Sequence, residues 1–172
     1  IYSQDQELSI SSDPKNLADW FIHAKNLDLK TLSTAFTRNE ELLSGKLTSD
    51  ITIRDIATSP TFVGDISIDK LKVIDTPIGD FRGIASNEGT ESISVEATLK
   101  SNTNNVSVRG KYALNRENPL DLVLQIQQLN AETLQAFSLN QLRDAAGNIT
   151  GRFQITGNFE QPNIEGRLHF NQ

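Results

Sequence analysis

Apolar and polar residues alternate with a period of two along most of this chain, and the cleanest stretch lies at residues 147–171. There Ile149, Phe153 and Ile155 fall on one parity, a break follows around Gly157 and Pro162, and Ile164, Leu168 and Phe170 share a parity again. Period two in runs bounded by Gly and Pro predicts two β-strands and a turn. The same pattern occurs earlier, at 45–69. Gly45, Pro60 and Gly64 recur as Gly147, Pro162 and Gly166, each displaced by 102 positions (147 − 45, 162 − 60, 166 − 64). The offset also pairs Asn16 with Asn118, Asp19 with Asp121, Leu27 with Leu129, and Thr31-Leu32 with Thr133-Leu134. The chain therefore reads as one continuous structure over 1–172 with an internal repeat at 16–70 and 118–172. Stacked self-similar units mark a repeat architecture, and a unit this long must be a small multi-stranded sheet rather than one solenoid coil.

Taken in order, the chain offers a short alternating piece with Leu8 and Ile10, ended by Asp13-Pro14. A strand follows in which Ala18, Trp20, Ile22 and Ala24 share a face. Its counterpart places Leu120, Leu122, Leu124 and Ile126 on one side and Asp121, Val123, Gln125 and Gln127 on the other. After each comes the one helical signal, Leu29, Leu32 and Phe36 behind Asp28, and Leu134, Phe137 and Leu142 behind Asn130. Asp and Asn are good N-caps because their side-chain oxygens accept an otherwise unpaired first-turn N–H. A short amphipathic helix is expected in each copy, lying over the sheet or plugging one end of it. Between the copies, Leu71, Val73 and Phe81 predict weak strands around Thr76-Pro77, and a polar turn follows near Gly89. Two clear strands then carry Ile93, Val95, Ala97 and Leu99, and Val106, Val108, Gly110 and Tyr112.

Composition narrows the function. Hydrophobic residues make up 37%, below the usual apolar share of about 45–50% that also counts Gly, which one-faced strands with a thin core explain. A net charge of −6 removes the basic field that nucleic acid requires. With no cysteine, thiolate metal sites, disulfides and a Cys nucleophile are excluded within this sequence. His23 and His169 fall at the parity opposite the apolar face without a ligand-spaced acidic set, and the carboxylates are scattered along strand faces. No catalytic residue, metal site or cofactor is expected, and an enzyme is the least supported class. Nor does any run approach the roughly 20 apolar residues of a membrane helix. The sequence reads as a segment of something longer, with any anchor or targeting signal outside it.

What remains is a surface, a single-parity apolar set running through every strand. Two sheets closing face to face over a dry core satisfy that pattern. So does a sheet that curls and leaves an apolar trough. The polar residues Ser49, Asp55 and Thr98 or Lys100 are expected to interrupt such a trough.

The ordered set Leu27, Gly45, Ile51, Ile53, Pro60, Phe62, Gly64, Ile66 and Ile68 recurs as Leu129, Gly147, Phe153, Ile155, Pro162, Ile164, Gly166, Leu168 and Phe170. With the segment GDFRGIAS and Asn118-Pro119-Leu120-Asp121 between the copies, it resembles the TamB family. These are the translocation and assembly module subunits of the AsmA-like, bridge-like envelope proteins. The resemblance implies an elongated, curled (taco-like), antiparallel-rich β-sheet with an apolar concave interior and one short amphipathic helix per repeat. It implies a periplasmic location in a diderm bacterium, with the full-length protein anchored in the inner membrane. Phospholipid acyl chains would move along the trough towards the outer membrane, and an Omp85-type barrel (TamA-like) would be a partner. The implied lining is Trp20 and Ile22, then Leu47, Ile51 and Ile53, then Phe62, Ile66 and Ile68. Val95 and Val108 continue it to Leu122, Leu124 and Ile126, and it ends on Ile149, Phe153 and Ile155 and on Ile164, Leu168 and Phe170. A chaperone that pairs client strands at its edges, and a purely structural spacer, are the alternatives.

Overall fold

Among the described residues, ten strands follow one another as an antiparallel meander in which every strand is hydrogen-bonded to its neighbours in sequence. The computed structural model describes residues 5–36, 42–87, 91–114, 116–137 and 146–171, without the side chains of 33–36 and 137. The first half contains β1 (Glu7–Ser12), β2 (Trp20–Asp28), α1 (Leu29–Phe36), β3 (Leu43–Arg54), β4 (Thr61–Val73) and β5 (Thr76–Ser86). The second contains β6 (Ser92–Lys100), β7 (Asn105–Ala113), β8 (Leu120–Asn130), α2 (Ala131–Phe137), β9 (Asn148–Gly157) and β10 (Pro162–Asn171). Of the two packings open to the alternation, the structure takes the single sheet. It does not close, and β1 and β10 are its edges. The second helical signal beyond residue 137, with Leu142, and the polar turn at Gly89 lie outside the described residues.

The segment around Thr76-Pro77 differs from expectation. In place of weak strands, β4 and β5 form a long hairpin that turns on Ile74 and Asp75, with φ of 44° and 64°. Two successive positive φ values match the twist of the flanking strands, which is why such turns join hairpins. A β-branched residue is costly in that region. Ile74 is held there by its N–H, which donates to the Leu42 carbonyl at 3.0 Å, and by packing against the cluster of Val73, Ile78 and Ala136.

Both helix starts form as the capping residues predict. Asp28 accepts from the Lys30 N–H at 3.0 Å, and Asn130 accepts from the Glu132 N–H at 2.7 Å. Because strands alternate in direction, both helices, the β4–β5 turn and the β6–β7 turn share one end of the sheet. α1 lies against β3 and β2, and α2 against β5 and β8. The dry core sits at this end. Ile126, Leu129, Ala131 and Ile149 form one buried cluster, backed by Leu124, Leu134 and Phe153; Val73, Ile78 and Ala136 form the other.

Asn104, in the β6–β7 turn, ties these pieces together and is 1% exposed. Its amide nitrogen donates to the Ile78 carbonyl at 2.7 Å, and its amide oxygen accepts from the Asn130 N–H at 2.9 Å. The hydroxyl of buried Thr133 completes the network, 3.0 Å from the amide nitrogen and 3.2 Å from the oxygen. One side chain thus joins β5, the end of β8 and the first turn of α2. Replacing it strands buried donors and acceptors, so Asn104→Ala is expected to lose about 2–4 kcal/mol of stability. A lowered urea midpoint with an unchanged denaturant slope would show it.

Asp28 supplies a pH dependence. The Lys46 ammonium bonds its carboxylate at 3.1 Å. That bond is the largest cause holding the Asp28 carboxyl below its ordinary value; burial works in the opposite direction, and the Lys30 N–H lowers it further. The fold therefore favours the charged form. The resulting stability is complete above the unfolded carboxylate's range and is lost as pH falls through the depressed folded value. With the Asp28 and Lys46 side chains 35% and 50% exposed, solvent screening keeps the effect below about 1 kcal/mol. Asp28→Asn is expected to flatten the acid limb of the stability–pH curve between about pH 5 and about pH 2, measured by denaturant unfolding.

Candidate functional site

Residues directly opposite one another in adjacent strands share a face of a sheet, so the register decides what the apolar surface contains. From β2 to β4 it aligns Trp20 with Ile53 and Phe62, Ile22 with Ile51 and Gly64, and Leu27 with Leu47 and Ile68. Ser49 pairs with Ile66, which pairs with Gly83 and then Ala97 and Val108. Val108 continues to Leu124 and Phe153, and Val95 to Gly110, Leu122, Ile155 and Ile164. The last rows run from Ile126 through Gly151 to Leu168, and from Leu129 through Ile149 to Phe170. Every lining residue expected from the sequence lies on this one face.

They do not share one environment. Ile126 and Ile149 are buried in the cluster with Ala131 and belong to the core rather than the open surface. Across β3–β9 the other lining residues are half-buried. Towards the edges the face is exposed, at 39% for Trp20 and 71% for Phe170. At the end opposite the helices, Phe159 in the β9–β10 turn reaches back over β8 and stacks on Tyr112, with ring centroids 5.3 Å apart.

Two neighbouring depressions mark the middle of the face. One, of about 320 Å³, is lined by Ile51, Phe62, Ile66, Phe81, Val95 and Ala97 among others. The second, of about 330 Å³, lies towards the helix end among Ile68, Val73, Ile78, Leu99, Val106 and Val108, and shares Phe81 and Ala97 with the first. Their floor is low because small residues alternate with large ones. A Cβ on Gly83 would stand 3.1 Å from Ile66 Cγ2 and 3.2 Å from Phe81 Cε1. The Phe81 ring therefore lies along its own strand over the bare glycine backbone. Phe153 covers its cross-strand partner Gly166 in the same way, 2.5 Å from where a Cβ would be.

Three expected interruptions resolve differently. Ser49 does stand on the apolar face, but it is 7% exposed and its hydroxyl donates to the Asp65 carbonyl at 2.8 Å, so the polar group is satisfied below the surface. Asp55 leaves the sheet; with φ of 52° it opens the β3–β4 turn, and its carbonyl accepts from Thr58 and Ser59. Thr98 and Lys100 pair with Arg82 and Asp80 on the opposite face. That face is polar and carries cross-strand contacts between Arg82 and Asp69, Gln127 and Asn105, and Gln154 and Asp121. His23 is there too, its Nδ1 2.5 Å from the Asp50 carboxylate. Phe21, Val63 and Ile84 are exposed apolar exceptions on this side. Among the described residues no three His, Cys, Asp or Glu side chains gather into a metal-sized group.

Alternation places Ala97 and Tyr112 on their strands but does not mark them as site residues, and it gives no signal for Asn104 or Phe159. Alternation marks which face a residue takes, whereas these act through contacts between segments far apart in the chain. Comparison with protein-family models, with curated proteins and with solved structures returns no significant match, so the resemblance to the TamB family rests on the sequence motifs alone.

Proposed function

We propose that the apolar face, which none of the described residues covers in its middle, holds the acyl chains of phospholipid, and that the chain is a periplasmic segment of an envelope-spanning protein of the TamB type. In this reading the sheet curls into a concave trough, the two copies carry a helix each, and lipid passes towards the outer membrane without any catalytic step. The supporting observation is the pair of adjoining apolar depressions on a half-buried sheet face. Order along the chain agrees with repeated units. α1 and α2 begin 102 positions apart (131 − 29), and the irregularity between Ala24 and Leu27 recurs between Ile126 and Leu129.

The energetics suit a mobile ligand. Burying an acyl chain contributes about 0.8 kcal/mol per CH₂, so a chain of about sixteen carbons covered on one side gains roughly 6 kcal/mol. With aliphatic and aromatic groups spread along the face, binding energy is distributed and no position is a deep trap.

A second reading rests on the edge. β10 pairs with β9 over ten residues without a register shift, and every residue in it is exposed. A long regular edge offers main-chain donors and acceptors to an added strand. On this reading the chain supports outer-membrane protein assembly with an Omp85-type partner of the full-length protein. Crosslinks from a client peptide to β10 backbone positions, with none to Phe62 or Val95, would favour it.

Native mass spectrometry of the protein purified from a diderm bacterial host is expected to detect bound phospholipid. Ile53→Asp and Ile155→Asp, checked for folding by circular dichroism, should lose at least about nine-tenths of it, since a charged group in the lining opposes apolar contact. Ala97→Phe keeps the face apolar but fills both depressions, and should lower lipid occupancy several-fold without lowering stability by more than about 3 kcal/mol. A lipid-free wild type, or folded Asp variants carrying as much lipid as wild type, would sink the proposal.

A further inference from the structure

Three lysines line one cavity on a chain whose net charge is −6. The cavity, of about 480 Å³, opens at the helix-bearing end between the β4–β5 hairpin and the β6–β7 turn, and its walls include Lys70, Lys72 and Lys100. Local backbone geometry explains their meeting. Register shifts between Ile68 and Leu71 and between Leu71 and Lys72 change the phase of β4, and Lys70 sits in the first of them with φ of 53°. Lys72 then pairs with Pro77, and Lys100 with Asp80. Gly79 keeps the walls together: a Cβ there would fall 2.3 Å from the Lys100 carbonyl oxygen, so only bare backbone allows β5 this close to the end of β6.

Charge pairing leaves the site positive. Among the described residues Asp80 is the one acidic residue in the wall, and its carboxylate accepts from the Lys70 backbone N–H at 2.8 Å. Of the neighbouring charges, Lys46 pairs with Asp28 and Asp69 with Arg82, while Asp75, in the β4–β5 turn, lies outside the wall. Among the described residues none of the three cavity lysines forms an ion pair. Three lysines around one cavity bring like charges near one another, and each ammonium offers three donors and no acceptor. A compact polyvalent oxyanion relieves their repulsion and accepts from several of them at once. Beside them, the Ser101 and Thr103 hydroxyls are 3.3 Å apart and the Ser101 oxygen accepts from the Thr103 and Asn104 N–H groups, which holds the turn in shape.

We propose that this cavity binds a phosphate-bearing anion. The proposal is independent of the acyl-chain reading, because the lysines lie on the polar side of the sheet. The phosphate comes either from a soluble phosphate ester or from a phospholipid headgroup, and the two sources are separable. The probes are glycerol phosphate and a short-chain phosphatidylglycerol below its micelle concentration, each titrated into the ¹⁵N-labelled protein at low salt. Saturable shifts of the Lys70, Lys72, Gly79 and Lys100 amides are expected. Shifts with both probes support the site and assign it to soluble esters; shifts with the lipid alone support it and assign it to headgroups.

The triple variant Lys70→Gln, Lys72→Gln, Lys100→Gln should bind at least about tenfold more weakly, the loss expected from one or more charge-assisted bonds. All three side chains are exposed, so its melting temperature in phosphate-free buffer should match wild type. Ile53→Asp should leave the phosphate shifts unchanged, which separates failure of this site from failure of the apolar face. Absence of saturable shifts with either probe, or equal shifts in the triple variant, overturns the proposal.

Discussion

Register is the constraint on which this structure depends. In a sheet with one apolar face, slipping a strand by one residue turns its whole apolar set to the other side. Ten strands must therefore stay in step for Ile22, Ile51, Val95, Leu122, Ile155 and Ile164 to share a surface. Most of the meander does this with unbroken one-to-one pairing. The irregularities gather at the helix-bearing end, where apolar residues are spaced by three. Ala24 and Leu27, or Ile126 and Leu129, would face opposite ways in a regular strand. The register shift between them lets Ile126 and Leu129 join one buried cluster.

That end also supplies what a single sheet layer lacks, a second layer to bury against. α2 covers the ends of β8 and β9, and Ala136 meets Val73 and Ile78 from the β4–β5 hairpin. Apolar contact there is non-directional; the Asn104 network adds direction, fixing the turn, the hairpin and the helix start relative to one another through bonds of 2.7–3.2 Å. Buried polar groups are tolerable because their partners are complete. Among the described residues the rest of the face has no such cover, and its exposure follows from having one dry end and one open middle. The apolar depressions and the lysine-lined cavity thus lie on different sides of the same sheet, with Leu71 common to the walls of both.

Much of this was legible in the sequence, for a simple reason. Side chains in a strand alternate between faces, so parity alone places Trp20, Ile53, Leu124 and Phe153 on one side. Asp28 and Asn130 were equally readable, since an N-cap is a local device that needs only its own next few residues. Parity failed where the backbone broke phase or left the strand. Asp55 was expected at the trough and instead turns the chain. Thr98 was expected to interrupt the lining and instead pairs with Arg82 on the polar side. Nothing local distinguishes Asn104 from the other residues of its polar turn; its importance comes from partners at Ile78, Asn130 and Thr133, each at least 26 positions away.

Local sequence makes the chain mainly β, gives its strands one apolar and one polar side, and starts its helices. These follow from period, capping and turn chemistry, which act over a few residues. Long-range contacts select one sheet rather than two packed together, put Ile126 and Ile149 in the core while Phe62 and Val95 border open depressions, and bring three lysines from β4 and β6 to the wall of one cavity. Alternation is blind to such choices: a strand presents the same apolar side whether another layer, a helix or nothing covers it. The covering, and so how much apolar surface stays exposed, is set by how distant segments fit together.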